Sequence, residues 1–253
     1  MKNISQRLYI STIAEDAAEK AREFSLGLEI TEFCTAYNMD TCFDEFDAKA
    51  RNKMQNVKRL TFHAPFNELS PAAIDPLILD VAKKRLHQAW NIMQEYHIDT
   101  MIAHSGFLPH VYYEEWFVEK SVDFWLGFLS DKPKNFKLHL ENVLESTPAM
   151  LIKIVQAVGD ARLTLCFDIA HAALMGPDIP VVTWAEQMAP HLGHIHLHNN
   201  HGQFDTHNAL GDGIIDINAV LQKTAVLPDI TFTIETINAN ESLKWLEANG
   251  FLG

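Results

Sequence analysis

The segment Leu192–Asn199 has the sequence Leu-Gly-His-Ile-His-Leu-His-Asn, in which histidine and aliphatic residues alternate. Successive side chains of a β-strand point to opposite faces, so His194, His196 and His198 are expected to share one face. In a closed barrel of parallel strands, one face of each strand points inward and the active site lies where the strands end. The segment therefore predicts a barrel strand whose inward face carries imidazoles.

Seven other short runs of β-branched or aromatic residues occur along the chain, alternating with amphipathic stretches. Helical spacing of the aliphatic residues is clearest over Asp75–Tyr96. The predicted strands are Leu8–Thr12, Leu26–Phe33, Arg59–Phe66, Asp99–Gly106, Phe136–Val143, Leu163–Ala170, Leu192–Asn199 and Ile230–Thr236. Eight strand–helix units in 253 residues predict an α/β fold, a single (β/α)8 TIM barrel that forms one domain over residues 1–253. Periodicity alone leaves an open, doubly wound sheet as the alternative.

Composition and charge exclude several classes of protein. With 47% hydrophobic and 21% charged residues the chain can bury a core, which excludes disordered and collagen-like proteins. The formal net charge of −13 repels polyanions and disfavours nucleic acid as a partner. No apolar run is long enough to span a membrane, and Met1–Ser5 carries no apolar signal core. Three cysteines without CxxC spacing are typical of free thiols, so a cytoplasmic location is predicted.

Six predicted strands carry a histidine or an acidic residue near their end, on the face that should line the barrel. These residues are His63, His104, Glu141, Asp168, His196 and Glu235. Unpaired buried charges are costly, so their convergence on one rim indicates a function. Two close-spaced pairs supply further donors, namely Asp168 with His171 and Asp205 with His207. This mixture of nitrogen and oxygen donors suits divalent metal ions, zinc first, with manganese or iron as alternatives.

Taken in order along the chain, these short motifs resemble the nine-ligand pattern of the endonuclease IV group in the xylose-isomerase-like TIM-barrel superfamily. The matching residues are His63 in HAPF, His104 in HSG, Glu141 in LEN, Asp168 and His171 in FDIAH, His196 in HIHLHN, Asp205 and His207 in DTH, and Glu235 in IET. The resemblance implies a trinuclear zinc centre at the C-terminal rim of the barrel, in which Glu141 bridges the first two ions. The implied ligand sets are His63, His104 and Glu141; Glu141, Asp168, His196 and Glu235; and His171, Asp205 and His207. His198 faces the same way as His196 and would replace or supplement it.

The resemblance also implies a metal-dependent hydrolase that cleaves a small-molecule phosphoester or phosphodiester. Divalent ions lower the pKa of water toward neutrality and stabilise charge on phosphoryl oxygens, so no side-chain nucleophile is needed. Glu141 or Glu235 would be catalytic by positioning that water.

Two other functions stay open at this stage. Sugar and sugar-phosphate isomerases or epimerases of the same superfamily use only the second ligand set, in which Glu141 and Glu235 serve as acid and base. That chemistry does not need the five other ligands, and their presence favours hydrolysis. A binding protein without catalytic activity is the third alternative.

The loops that follow the predicted strands contain neither lysine nor arginine. Enzymes that process DNA hold flanking phosphates with cationic side chains, so DNA cleavage at apurinic sites is disfavoured. The same loops contain eight aromatic residues: Tyr37, Phe43, Phe46, Phe66, Phe107, Tyr112, Tyr113 and Phe204. A pocket with metal ions at its base and aromatic side chains in its walls suits a small-molecule substrate with a bulky or aromatic part. The sequence makes no prediction of the oligomeric state.

Further expectations concern residues beside the ligands. His139, His198 and Asn200 are candidates for supporting the ligands from behind, although a plain core role is an equal interpretation for His139. Glu29 is expected to point into the barrel, where it would contact substrate.

Overall fold

The computed structural model describes residues 3–253, in which eight parallel strands close into a barrel. Each strand pairs with the next one along the chain, and the last pairs with the first. The strands are β1 (Leu8–Ser11), β2 (Gly27–Ile30), β3 (Leu60–His63), β4 (Thr100–His104), β5 (Lys137–Glu141), β6 (Leu163–Asp168), β7 (Leu192–Leu197) and β8 (Thr231–Ile234). The closed strand order confirms the predicted TIM barrel and excludes the open sheet.

Helices connect the strands around the outside of the barrel. They are α1 (Ala17–Phe24), α2 (Ala36–Asp40), α3 (Phe43–Met54), α4 (Pro76–Glu95), α5 (Glu114–Leu129), α6 (Ala149–Val158), α7 (Ile169–Met175), α8 (Val181–Met188), α9 (Ile217–Thr224) and α10 (Ala239–Ala248). Short 3-10 turns are found at Ser5–Arg7 and Ala189–His191. Within residues 3–253, no helix is long and apolar enough to cross a membrane.

Capping sets the start of the longest helix, α4. The Asp75 carboxylate accepts a hydrogen bond from the Leu77 N–H at 2.8 Å, and Pro76 occupies the first position, where its missing N–H has no cost. The predicted helix Asp75–Tyr96 is confirmed as Pro76–Glu95. The predicted strands are confirmed in order, but each one ends before its predicted C-terminal bound. The residues beyond the strand ends belong to the loops that build the site.

A polar layer fills the barrel interior beneath the strand ends. The rings of His139 and His194 stack with centroids 5.6 Å apart, and threonine hydroxyls lie 2.6 Å from the Nδ1 atom of each. Gly193 leaves room for this layer, because a Cβ there would lie 2.2 Å from Thr164 Oγ1. His139 therefore has the core role, two residues before Glu141 on the same strand.

Asparagine side chains hold the loops at the mouth of the barrel. Asn199 donates to two carbonyl oxygens across the loop that follows β7, and Asn200 donates to the Ala170 carbonyl oxygen at 3.1 Å. These bonds fix the base of the loop that carries Asp205 and His207. Asn200 is thus a tether for the loop, consistent with a supporting role behind the ligands.

Candidate metal centre

All nine side chains predicted as ligands meet at the C-terminal end of the barrel. Strand register pairs Glu141 with His104 and Asp168 with His196 across neighbouring strands. A cavity of about 400 Å³ opens above them. The predicted ligands that line it are His63, His104, Glu141, His171, Asp205, His207 and Glu235. Asp168 and His196 are fully buried and form the floor beneath.

The first group of donors joins His63, His104 and Glu141. The Nε2 atoms of both histidines face Glu141 Oε2, at 3.3 and 3.6 Å. Phe66 stacks on the His104 ring with centroids 4.2 Å apart, which restricts the tilt of that ring. One donor atom from each residue lies within 4.8 Å of the other two, as a shared cation requires.

The second group surrounds His196 Nδ1, which faces three carboxylates. The distances are 3.1 Å to Glu235 Oε2, 3.4 Å to Glu141 Oε1 and 3.8 Å to Asp168 Oδ2. This nitrogen is buried without a hydrogen bond of good geometry. Glu141 faces the first group with Oε2 and the second with Oε1, which is the arrangement expected of a bridging carboxylate.

The third group lies around Asp205, on the loop side of the cavity. The Nε2 atoms of His171 and His207 lie 3.1 and 3.2 Å from Asp205 Oδ2. His198 joins this group, because its Nδ1 is 3.6 Å from Asp205 Oδ1 and its ring stacks on His207. Its Nε2 contacts Asp168 Oδ2 at 2.8 Å and so links the second and third groups. The donor atoms that lie within 4.8 Å of one another here belong to His198, Asp205 and His207, so His198 adds a donor to the predicted set.

Backbone carbonyl groups fix the orientation of three imidazoles. His63, His171 and His207 each donate a hydrogen bond from Nδ1–H to a carbonyl oxygen. The acceptors are Ala64, Asn142 and Glu235, at 2.9, 3.0 and 2.8 Å respectively. A carbonyl oxygen can only accept, so Nδ1 keeps its proton and Nε2 is the atom left for a cation. Metal-binding histidines in proteins are held in this way.

Asp168 combines a local structural role with its place in the cluster. As the N-cap of α7, its Oδ1 accepts the N–H groups of Ala170 and His171 at 2.9 and 2.7 Å. The other oxygen, Oδ2, is left to face the imidazoles. Asn142 bonds both the N–H and the C=O of Asp168, each at 2.9 Å. The sequence FDIAH therefore folds so that a helix start aims one carboxylate oxygen into the site.

The imidazoles differ in charge. Burial opposes a proton on His171, yet the charges of Asp168 and Asp205 outweigh it and hold the His171 pKa well above its usual value. Burial likewise opposes charge on His207, but its hydrogen bond with Asp205 raises the pKa to about 9. At His104 burial prevails and lowers the pKa to about 4. Metal ligation requires an unprotonated ligand nitrogen, so a cation would displace protons from the rings whose pKa is raised, which also include His63 and His196.

The donor set fits divalent metal ions. The pKa values of Glu141, Asp168 and Glu235 fall below their usual range, because the surrounding imidazoles outweigh the effect of burial. These carboxylates are therefore charged at neutral pH. The Nδ1 atoms of His196 and His198 are buried without hydrogen-bond partners, which is costly unless something else satisfies them. Imidazole nitrogens mixed with carboxylate oxygens suit zinc, and also manganese or iron.

Cys34 is a residue of the site that the sequence did not indicate, and Glu29 was expected at the site but in a different role. Cys34 lines the cavity, with Sγ 3.5 Å from His63 Nδ1, and burial raises the pKa of its thiol. Glu29 points inward as predicted, but it is fully buried and lies behind His196 instead of in the cavity. Its Oε1 is 3.1 Å from His196 Nε2, on the side of the ring away from the three carboxylates. In the sequence, only the position of Glu29 on the inward face of its strand indicated this contact.

We expect Glu29→Gln to lower the affinity for zinc by about 10-fold or more, the usual effect of removing a carboxylate behind a histidine ligand. The substitution removes the negative charge 3.1 Å from His196 Nε2, and a carboxylate in this position raises the basicity of the imidazole. The measurement is a competition titration against a chelator of known affinity. Glu32→Gln is the matched control, because Glu32 is also buried but pairs with Lys53 at 2.8 Å. Equal affinities in the two variants would contradict this role.

Solved structures with the same barrel cover nearly the whole chain. A D-tagatose 3-epimerase-like protein has a TM-score of 0.76 and 22% identity, over 96% of this chain and 95% of that one. The TTHB071 protein from Thermus thermophilus, soaked with ZnCl2, has a TM-score of 0.75 and 26% identity, over 97% of each chain. The 3-keto-D-glucoside 4-epimerase YcjR from E. coli has a TM-score of 0.67 and 13% identity, over 96% and 99%. At such low identity, the two epimerase comparisons show the fold alone.

Sequence comparisons identify a similar protein and a matching family model. The protein MJ1311 of Methanocaldococcus jannaschii, described as uncharacterized, is 27% identical over 197 residues, which is 73% of this chain and 67% of the archaeal one. The family model described as xylose isomerase-like TIM barrel matches residues 10–250. That match spans all eight strands except the first two residues of β1. The chain therefore belongs to the xylose isomerase-like TIM-barrel family.

Proposed function

We propose that the protein is a metal-dependent hydrolase of a small-molecule phosphoester or phosphodiester. The observation that supports this is the connection of three donor groups through shared side chains. Glu141 faces the first two groups, and the contact between His198 and Asp168 joins the second to the third. An isomerase needs only the second group, so the other donors have no part in its chemistry. They are accounted for if the site holds up to three cations, as the resemblance to the endonuclease IV group implies.

The proposed ligands are His63, His104, Glu141, Asp168, His171, His196, Asp205, His207 and Glu235, with His198 as an additional donor. Bound divalent ions would lower the pKa of water and offset charge on the phosphoryl oxygens. Hydrolysis adds the oxygen of one water to phosphorus and breaks the P–O bond to the ester group. One proton of that water ends on the leaving oxygen, and the other goes to solvent.

Glu141 and Glu235 are the proposed catalytic residues. Both border the cavity, and their donor atoms belong to one group within 4.8 Å. Carboxylate oxygens at this position accept hydrogen bonds from a water molecule and so direct its lone pair toward phosphorus. Ile13, Phe66 and Val143 form apolar parts of the cavity wall.

The charge around the cavity favours a small molecule over DNA. Among residues 3–253, no lysine or arginine lines the cavity. The rim loops contain none either, so bound cations would be the positive charge offered to a substrate. A duplex needs several cationic contacts along its backbone to hold its register. A substrate with one phosphate ester can be held by the metal centre alone.

A sugar or sugar-phosphate isomerase or epimerase is the second candidate. Solved structures with this fold include a 3-keto-D-glucoside 4-epimerase and a D-psicose 3-epimerase, and these names support the second candidate. In that chemistry Glu141 and Glu235 would exchange a proton with a hydroxyketone, one as base and the other as acid. Both carboxylates lie within 3.4 Å of His196 Nδ1, so they border the same small volume.

Metal content and turnover measured on one preparation test the proposal. We expect protein purified without chelator to contain two to three equivalents of zinc, manganese or iron per chain. We expect it to release 4-nitrophenol from bis(4-nitrophenyl) phosphate and to leave D-fructose unchanged. One equivalent of metal or less, together with epimerisation of the ketose, would replace the hydrolase by the second candidate.

A further inference from the structure

A second cavity, of about 440 Å³, adjoins the metal cavity. The loops that follow β3, β4 and β5 form it. Its apolar walls include Phe66, Leu69, Phe107, Leu108, Tyr112 and Leu144. Three residues line both cavities, namely Phe66, His104 and Val143. The stacked pair of Phe66 and His104 therefore forms part of the boundary between this apolar chamber and the metal cavity.

Hydrogen bonds hold the walls of this apolar chamber in place. The buried Glu145 carboxylate accepts from the Ser105 hydroxyl and from the Val143 N–H, the latter at 2.7 Å, and so joins two of the loops. Trp116 donates from its indole N–H to the Ala72 carbonyl oxygen at 3.0 Å and ties the third loop to α5. The chamber is therefore formed before any ligand arrives, which reduces the entropy lost on binding.

The chemistry of the lining limits what the chamber can bind. Within residues 3–253, lysine and arginine are absent from its lining, and the exposed Glu68 is its acidic residue. A charged phosphate would find no partner there and would be repelled by Glu68. Asn67 and Ser70 add polar atoms to the lining, but most of its side chains are apolar. An uncharged aromatic or aliphatic group fits the volume and the lining, which fall within the range of ordinary ligand pockets.

We propose that the apolar chamber binds an uncharged aromatic or bulky aliphatic ester group of the substrate, while its phosphate lies at the metal centre. This assignment rests on the proposed hydrolase function, because it places a phosphoryl group beside His104. The preferred substrate class is then a phosphate ester with one large apolar substituent. Leu108 and Ile78, which are 43% and 51% exposed, stand at the mouth of the chamber and contact that substituent.

Calorimetric binding of two phosphonates, which cannot be hydrolysed, tests the chamber separately from catalysis. We expect the metal-loaded protein to bind 2-naphthylmethylphosphonate about 30-fold more tightly than methylphosphonate, from burial of the rings. We expect Leu108→Glu, and independently Ile78→Glu, to lower naphthyl binding by about 10-fold and to leave methylphosphonate binding unchanged. Leu126→Glu is the matched control, since Leu126 is 45% exposed on α5 and lines neither cavity.

The outcomes separate this proposal from the function on which it rests. Equal affinity for the two phosphonates, no binding of either, or an equal loss in the Leu126 variant would overturn the chamber assignment. Preferential naphthyl binding that depends on Leu108, without hydrolysis of methyl 2-naphthyl phosphate, would support the chamber and reject the hydrolase.

Discussion

Glu141→Gln is expected to reduce hydrolysis by about 10³-fold or more, because the metal ions whose ligand it removes supply several kcal/mol of transition-state stabilisation. The two Glu141 oxygens face different donor groups, so one substitution weakens both groups. We expect the bound metal to fall by at least half at the same time. Elemental analysis and turnover of a phosphodiester on the same sample check both effects.

The fold of this variant needs its own control, because Glu141 is buried among several histidines. Removing one partner from a buried ion pair costs about 3–5 kcal/mol, so some loss of thermal stability is expected as well. Glu32→Gln, a matched change at another buried carboxylate, should keep both metal and activity. Full metal content with full turnover in the Glu141 variant would show that this carboxylate does not bridge metal ions in the first two donor groups.

His104→Ala and His207→Ala are each expected to abolish phosphodiester hydrolysis while the second donor group stays intact. His104 belongs to the first group and His207 to the third, and their nearest carboxylates are Glu141 and Asp205 respectively. If the protein is an epimerase that relies on the second group alone, both variants should retain turnover of a ketose. The two substitutions therefore distinguish the two candidate functions more sharply than any change within the second group.

His87→Ala serves as the control for loss of an imidazole, since His87 lies exposed on α4 and packs against Phe128. Rates on a phosphodiester and a ketose are measured for each variant at a fixed metal concentration. Hydrolysis that persists in both site variants would mean that neither the first nor the third donor group is required, and the proposal that three cations act together would be wrong.

Period-two alternation explains why so much of the site could be predicted from the sequence. In β7, the residues between the histidines are aliphatic and face the helices. The alternation itself therefore predicts that His196 lies on the inner face of the strand. The same reasoning places Glu141 and Asp168 on the inner face from the sequence alone. Because parallel strands end at one rim, inner-face residues near those ends converge.

The strand face predicted from alternation does not show how deep in the barrel a residue lies. His139 and Glu141 share one face of β5, but they lie two residues apart, and only Glu141 reaches the cavity. The contact between Glu29 and His196 depends on the stagger of strands across the barrel, and this stagger cannot be predicted from a local sequence pattern. Cys34 lies beyond the end of β2, where the loop path decides its position.

Loop geometry also limited the prediction from aromatic residues. Phe66, Phe107 and Tyr112 line the cavities, whereas Tyr37, Tyr113 and Phe204 are largely exposed. Phe43 and Phe46 pack against the core instead. The aromatic wall is therefore smaller than composition suggested, and it is concentrated on one side of the metal centre. Composition counts rings but cannot assign them to a side of the mouth.

The acceptors that orient His63, His171 and His207 are peptide oxygens, and this has a consequence for how the centre tolerates mutation. A side-chain acceptor can be lost through a single codon change, whereas a main-chain carbonyl is present whatever residue occupies the position. Replacing Ala64 or Asn142 therefore leaves the oxygen itself in place, and only a shift in the path of the chain can rotate the rings. The orientation of these three imidazoles therefore depends on the path of the main chain, and a neighbouring substitution changes it only if it shifts that path, as loss of the Asn142 side chain would at Asp168.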